Sequence, residues 1–340
     1  MLTNREWIKS TLTGNHGLAV PYNFMFSPPA VNRLEKHYQT SDIAKYLNMP
    51  ISINVPNSIK VFFADPDIYG PTIKDEFGVT WSTNKIDRGS PIGPCLREPD
   101  FSKYKFPDAK ASYRFDGLSG WCRENRDNYT VIVIGDLWER VTFMRGMEES
   151  LEDLMLNPVF IEELLDTLTE LILETADVLF KTCTFDAVFV SDDYGVQRSM
   201  AMSPETWRRF IKPRLRKIYD FSHRHGRDVI HHSCGHIVPI IPDLIELGLD
   251  ILHPIQPEAM DVYALKRQFG KDLTLCGGVR TQDLLPKGRP EEIRDEVKRL
   301  KETMGRGGRY ILEPGITLLA DVPEDNLVAL VEEARVEGRK

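Results

Sequence analysis

The sequence has no CxxC pair, no basic block, no long apolar run and no glycine-rich nucleotide loop, and each absence removes a class of protein. Its five cysteines, Cys95, Cys122, Cys183, Cys234 and Cys276, are an odd, widely spaced set and a poor disulfide framework for 340 residues. They are expected to be reduced and to serve mostly as small buried hydrophobes. No segment approaches the ~18 apolar residues that span a bilayer. The N-terminus lacks the charged-then-apolar layout of a signal peptide, so the expected location is the cytoplasm. A formal net charge of -8 without a Lys/Arg cluster argues against nucleic acid or an anionic membrane surface as partner. With 41% hydrophobic residues, 23 Gly and 22 Pro, the composition is that of a globular chain with a large core.

From about residue 130, short β-branched runs alternate with helical patterns, the mark of βα units and a parallel sheet. Six strands are expected there: Val131–Ile134, Ala187–Val190, Asp228–His231, Leu249–Leu252, Leu273–Cys276 and Tyr310–Leu312. Leu18–Phe24 and Ile51–Val55 bring the count to eight, the number that closes a parallel barrel. The fold class is therefore α/β, a (β/α)8 TIM barrel, read as one domain over residues 1–340. Residues 56–127, rich in Pro, Gly, Asp and Tyr, form a long irregular excursion after the second strand, expected on the substrate side. Asn157-Pro158 and Ser203-Pro204 each set a capping residue before a proline at the first helical position. Gly226 sits where a left-handed helix end is wanted. An open doubly wound sheet is the competing architecture, and the missing nucleotide loop counts against it.

In such a barrel, functional groups collect just after the strands. Asp136 follows the third expected strand; Asp192, Asp193, Tyr194 and Gln197 the fourth; His232, Cys234 and Gly235 the fifth; His253 and Gln256 the sixth; Cys276 and Arg280 the seventh; and Glu313 the eighth. His232-x-Cys234 offers an imidazole and a thiol that can ligate zinc, although the pattern also arises by chance. A catalytic zinc needs a third protein ligand, and Glu313, His253 and Cys276 are the candidates. Of Asp192 and Asp193, one is expected to bind substrate or move a proton and the other to cap a helix, with Tyr194 as a nearby donor. By strand alternation His231 should face away from His232 and pack structurally. Glu148, Glu149, Glu152 and Asp153 read as a solvated helix face.

Several motifs together resemble the uroporphyrinogen decarboxylase-like superfamily. They are Asp75-Glu76-Phe77-Gly78-Val79-Thr80-Trp81, Asp192 to Gln197 followed by Ser203-Pro204-Glu205, His232-Ser233-Cys234-Gly235, Cys276-Gly277-Gly278-Val279, Gly307 to Leu312 and Val322 to Asn326. The resemblance implies a β/α barrel, often dimeric, with one of two chemistries. One is decarboxylation of a tetrapyrrole without a cofactor; the other is zinc-dependent methyl transfer to or from a corrinoid on a partner protein. True decarboxylases carry an arginine-rich N-terminal segment, whereas here Ala19 to Phe26 contains no arginine. The methyltransferase branch uses His-x-Cys for zinc, matching His232 and Cys234. Its third ligand, a cysteine, falls at about Ile316, which leaves Glu313 as the expected substitute. Arg280 stands where relatives carry an aspartate and could receive an anionic substrate. The expectation is a zinc methyltransferase acting on a small methylated compound with a corrinoid protein as partner: His232, Cys234 and Glu313 as ligands, Asp192, Asp193 and Tyr194 as catalytic groups, and Asp136, Gln197, Gln256 and Arg280 at the substrate. A metal-free decarboxylase of a smaller acid, gripping its carboxylate through Arg280, is the alternative.

Overall fold

Alternating apolar residues on short, β-branched strands commit each strand to two buried faces, and this pattern builds the architecture. The computed structural model describes residues 2–15, 19–58, 63–86 and 88–336. In chain order the strands are β1 (Ile51–Asn54), β2 (Thr72–Lys74), β3 (Thr80–Ser82), β4 (Pro91–Gly93), β5 (Tyr129–Gly135), β6 (Ala187–Ser191), β7 (Asp228–His232), β8 (Ile251–Ile255), β9 (Thr274–Val279) and β10 (Tyr310–Pro314). Seven of them form one parallel sheet in the order β1-β5-β6-β7-β8-β9-β10. The sheet is curled: the helix Asn4–Leu12 touches β1 and β5 at one edge and β10 at the other. Ile8 of that helix joins Ile51, Val131, Phe189, Ile230, Ile251, Cys276 and Ile311, one residue from each strand, in the interior cluster. The alternate residues, among them Ile132, Val188, Val229, Leu252, Leu275 and Leu312, pack outward in the larger core that includes the helices. Each such side chain, fully buried, stabilises the fold by roughly 1.5–3 kcal/mol.

The expected first strand does not form an element among its described residues; Leu18 lies outside them. Tyr22 and Phe26 make isolated parallel bridges to Leu312 and Leu318. Pro21 supplies its carbonyl to the Leu312 N–H at 2.8 Å but has no N–H to extend a ladder. The segment thus runs beside β10 as a bridged flank of a seven-stranded sheet. The described residues of the stretch 56–127 include elements its composition does not suggest. They hold the antiparallel sheet β2-β3-β4 and the helices Pro66–Tyr69 and Leu118–Glu124. Three-residue strands are too short for a period-two pattern to show.

Asp75 explains the first motif. Its carboxylate accepts the N–H groups of Phe77 and Val79 and the indole N–H of Trp81, each at 2.9 Å, and pairs with Arg140 at 3.0 Å. One buried carboxylate therefore folds the turn before β3 and ties the small sheet to the helix Trp138–Arg145. Ser203 caps its helix as expected, accepting from the Thr206 N–H. Asn157 does not: its amide donates to Asp153, and the helix Pro158–Thr182 starts without a side-chain cap. Asp153 is likewise not solvated but buried against Arg145 at 2.7 Å. No helix among the described residues is long and apolar enough to cross a membrane.

Candidate functional site

The carboxyl ends of β6, β7 and β8 are laced together by polar side chains onto backbone. Asp193 accepts the Cys234 N–H at 2.7 Å, Gln256 accepts the Gly235 N–H at 3.0 Å, and Ser233 accepts the Tyr194 N–H at 3.0 Å. Gly235 has φ +79°, and a Cβ there would lie 2.5 Å from the Gly195 carbonyl carbon, so only glycine fits where the two loops cross. As alternation requires, His231 turns outward. It meets the Tyr219 hydroxyl at 2.8 Å and stacks on Tyr194, and burial pushes its pKa down to about 3. His232 turns inward.

Two groups of metal-competent side chains result, each with ligand atoms within 4.8 Å of one another: Asp193, His232 and Cys234, half-buried, and His253, Cys276 and Glu313, fully buried. In the first, His232 Nε2 lies 3.4 Å from Cys234 Sγ and 3.4 Å from Asp193 Oδ1. Burial works against a charged His232, but Cys234 and Asp193 outweigh it and raise its pKa well above the usual value. In the second, His253 Nε2 faces Glu313 Oε2 at 3.6 Å and the Cys276 thiol donates to the same oxygen at 3.0 Å, while the Asn23 amide reaches Oε1 at 3.3 Å. Burial lowers the pKa of His253 and raises that of Cys276 well above the usual thiol value. Burial also opposes ionised Glu313, yet His253, Cys276 and Asn23 hold its pKa below the ordinary range. His232 Nδ1 and His253 Nδ1, 2.9 Å apart, join the groups.

Glu313 thus stands with His253 and Cys276, and Asp193 takes the place beside His232 and Cys234. Ile316 is 39% exposed and offers no donor. Asp192 accepts the Glu139 N–H at 2.7 Å and the Tyr194 hydroxyl at 2.5 Å, both side chains fully buried. It caps the helix Trp138–Arg145, and burial pushes its pKa up to about 8. Asp136 pairs with Arg140 at 2.9 Å at the wall of a cavity of about 250 Å³. Gln197 is exposed and donates to the Glu258 carbonyl, and Arg280 pairs with Asp283 at 3.0 Å. Neither lines the cavity.

The cavity runs between the ends of β5 and β6, the helix Pro158–Thr182 and residues of the 56–127 stretch, with Phe77, Trp81, Phe143 and Ile172 as apolar walls. Three arginines line it: Arg114 holds Glu76, Arg140 holds Asp75 and Asp136, and the more exposed Arg88 lies 4.0 Å from Glu139. Glu139 lines this cavity and also a second hollow with Asp193. It accepts from Ser191 at 3.3 Å, and burial with the nearby charges of Asp193 and Asp136 pushes its pKa up to about 7. Sequence reasoning missed Glu139. Its signal was its place in the first helical turn after Asp136, at the strand-end face where functional groups gather.

The family model described as "Uroporphyrinogen decarboxylase (URO-D)" matches residues 72–336. The methylcobamide:CoM methyltransferase MtaA of Methanosarcina barkeri is 28% identical over 170 residues, 50% of this chain and 47% of that protein. The uroporphyrinogen decarboxylase of Thermus thermophilus is 32% identical over 138 residues, 39% of this chain and 37% of that protein. The matches therefore span about half or less of these curated relatives. A solved methyltransferase from Methanosarcina mazei superposes with a TM-score of 0.73 at 19% identity, covering 98% of both chains, a likeness of fold.

Proposed function

We propose that this chain, which belongs to the uroporphyrinogen decarboxylase family, is a zinc-dependent methyltransferase that moves a methyl group between a small methylated substrate and a corrinoid on a partner protein. One observation carries the reading: an imidazole nitrogen, a thiol sulfur and a carboxylate oxygen converge at the carboxyl ends of β6 and β7. Around a tetrahedral zinc, N–O and N–S edges measure roughly 3.3 and 3.5 Å from ordinary bond lengths. The 3.4 Å separations of His232 from Asp193 and from Cys234 fit both. Asp193, His232 and Cys234 would hold the metal, with Asp193 in the role the sequence assigned to Glu313. When bound, zinc lowers the pKa of a thiol or hydroxyl, or polarises a methyl-bearing heteroatom.

The chain's own groups supply the rest. When methyl leaves a heteroatom for a corrinoid, the heteroatom keeps the bonding pair and takes up a proton. Glu139, with a pKa near 7 and facing both hollows, is the group to deliver that proton or to accept it in reverse. Asp192, itself held by the Tyr194 hydroxyl, positions Glu139 by accepting its backbone N–H. Asp136 and the aromatic walls from the 56–127 stretch enclose the substrate, and Gln256 fixes the Gly235 turn. The relative from Methanosarcina barkeri supports methyl transfer by its name, which sets a methylcobamide as donor and CoM as acceptor, the reverse of the step just written.

A metal-free decarboxylase is the competing reading, supported by the Thermus relative. It needs a cation to grip a carboxylate, yet Arg114 and Arg140 are paired with acids, Arg88 faces Glu139 at 4.0 Å and Arg280 pairs with Asp283. A cavity of about 250 Å³ with this charge balance suits a small neutral or cationic compound better than a polyanionic tetrapyrrole. Elemental analysis tests the proposal. One zinc per chain, lost on Cys234→Ala, is expected; wild-type protein purified with zinc present but holding none overturns it.

A further inference from the structure

The two donor groups meet at the contact between His232 Nδ1 and His253 Nδ1, 2.9 Å apart, and this contact constrains both. Two ring nitrogens at that distance need one N–H and one lone pair between them; two N–H groups facing each other repel. A neutral histidine that ligates through Nε2 carries its proton on Nδ1. Were both rings to ligate through Nε2, both Nδ1 atoms would carry hydrogen and the contact would break. With this ring packing the groups exclude each other as metal sites, so one must serve the other.

We infer that the chain holds one zinc-class divalent cation at Asp193, His232 and Cys234, and that Glu313 is not a ligand but orients His232 through His253. The inference rests on the zinc reading above and deepens it. Two observations set the direction. The group with His232 is half-buried and leaves a face for a reactant, as a catalytic site needs, whereas His253, Cys276 and Glu313 are only 3–4% exposed and closed off. Glu313 is also already taken: the Asn23 amide and the Cys276 thiol donate to it, and His253 Nε2 faces it. The protons then run one way. His253 Nε2–H points to Glu313, His253 Nδ1 accepts from His232 Nδ1–H, and His232 Nε2 presents its lone pair toward Asp193 and Cys234. Two rings and a carboxylate so fix one tautomer and one ring orientation, the service that an outer carboxylate renders a ligating histidine.

Cobalt(II) in place of zinc tests this, because its charge-transfer absorption reports which sulfur it binds. Wild-type protein is expected to take one cobalt per chain with a thiolate band; Cys234→Ser loses the band and Cys276→Ser keeps it. His253→Phe and Glu313→Ala are expected to keep the band while weakening zinc binding roughly 10–100-fold in competition with a chromophoric chelator. Glu313→Gln, which retains an acceptor oxygen and the side-chain volume, should recover most of that affinity and carries the test if Glu313→Ala does not fold. Two ions per chain, a band that follows Cys276, or loss of the band on Glu313→Gln each overturns the inference while leaving a metal enzyme. Wild-type protein that binds neither zinc nor cobalt overturns the zinc reading itself.

Discussion

Replacing His231 by glutamine should flatten the dependence of stability on pH between 7 and 5, and the size of the effect follows from where strand alternation puts the ring. His231 is fully buried on the outer face of β7, between Tyr219 and Tyr194, and its pKa falls from 6.5 to about 3 because burial disfavours the imidazolium. Below pH 6.5 the unfolded chain binds a proton that the fold refuses, so stability falls as pH drops from there toward 3. At pH 5 the linkage amounts to about 2 kcal/mol, and at pH 7 it is nearly absent. Glutamine keeps a polar partner for the Tyr219 hydroxyl but cannot titrate. Urea unfolding of metal-free wild type and His231→Gln at pH 5 and pH 7 gives four free energies. The difference of differences cancels every other titrating group and should come to about 2 kcal/mol. Equal pH slopes in the two proteins would refute the outward placement of His231.

Glu139→Gln should remove the limb near pH 7 from the pH profile of turnover while leaving zinc content unchanged; a profile that keeps the limb means another group holds that proton. Gly235→Ala meets both a positive φ and backbone at 2.5 Å, so denaturant unfolding should show a loss of at least about 2 kcal/mol, and a change under 0.5 kcal/mol would show the loops are not so tightly crossed. Asp75→Ala strips four donors of a buried carboxylate and should cost about 3–5 kcal/mol in the same assay.

What the sequence shows about this fold depends on the length of the signal. The six later strands are read from runs of β-branched residues, and His231 and His232 part to opposite faces as a period of two demands. The first strand is overestimated because Leu18 to Phe24 has the right composition, while Pro21 lacks the N–H a ladder needs. β2, β3 and β4 have three residues each, too few for any periodicity to register. At the site, His232, Cys234 and Asp193 were each legible as strand-end residues, but that Asp193 joins His232 and Cys234 depends on loop crossing at Gly195 and Gly235, a three-dimensional fact. Glu139 was hidden in an unremarkable helical turn, since nothing in its local sequence records that two hollows open on it.

The central claim is methyl transfer that depends on the Asp193–His232–Cys234 metal group, and the absorption spectrum of cobalamin reads it directly. Free methylcobalamin serves as the methyl source and a small thiol as acceptor; the sulfur takes the methyl, and the cobalt keeps the bonding pair as cob(I)alamin. Under anaerobic conditions the zinc-loaded protein should drive that conversion, and Cys234→Ala or removal of zinc by a chelator should abolish it. A zinc-loaded wild-type protein that leaves the spectrum unchanged across a panel of thiols, or turnover that survives both Cys234→Ala and chelation, would contradict the account.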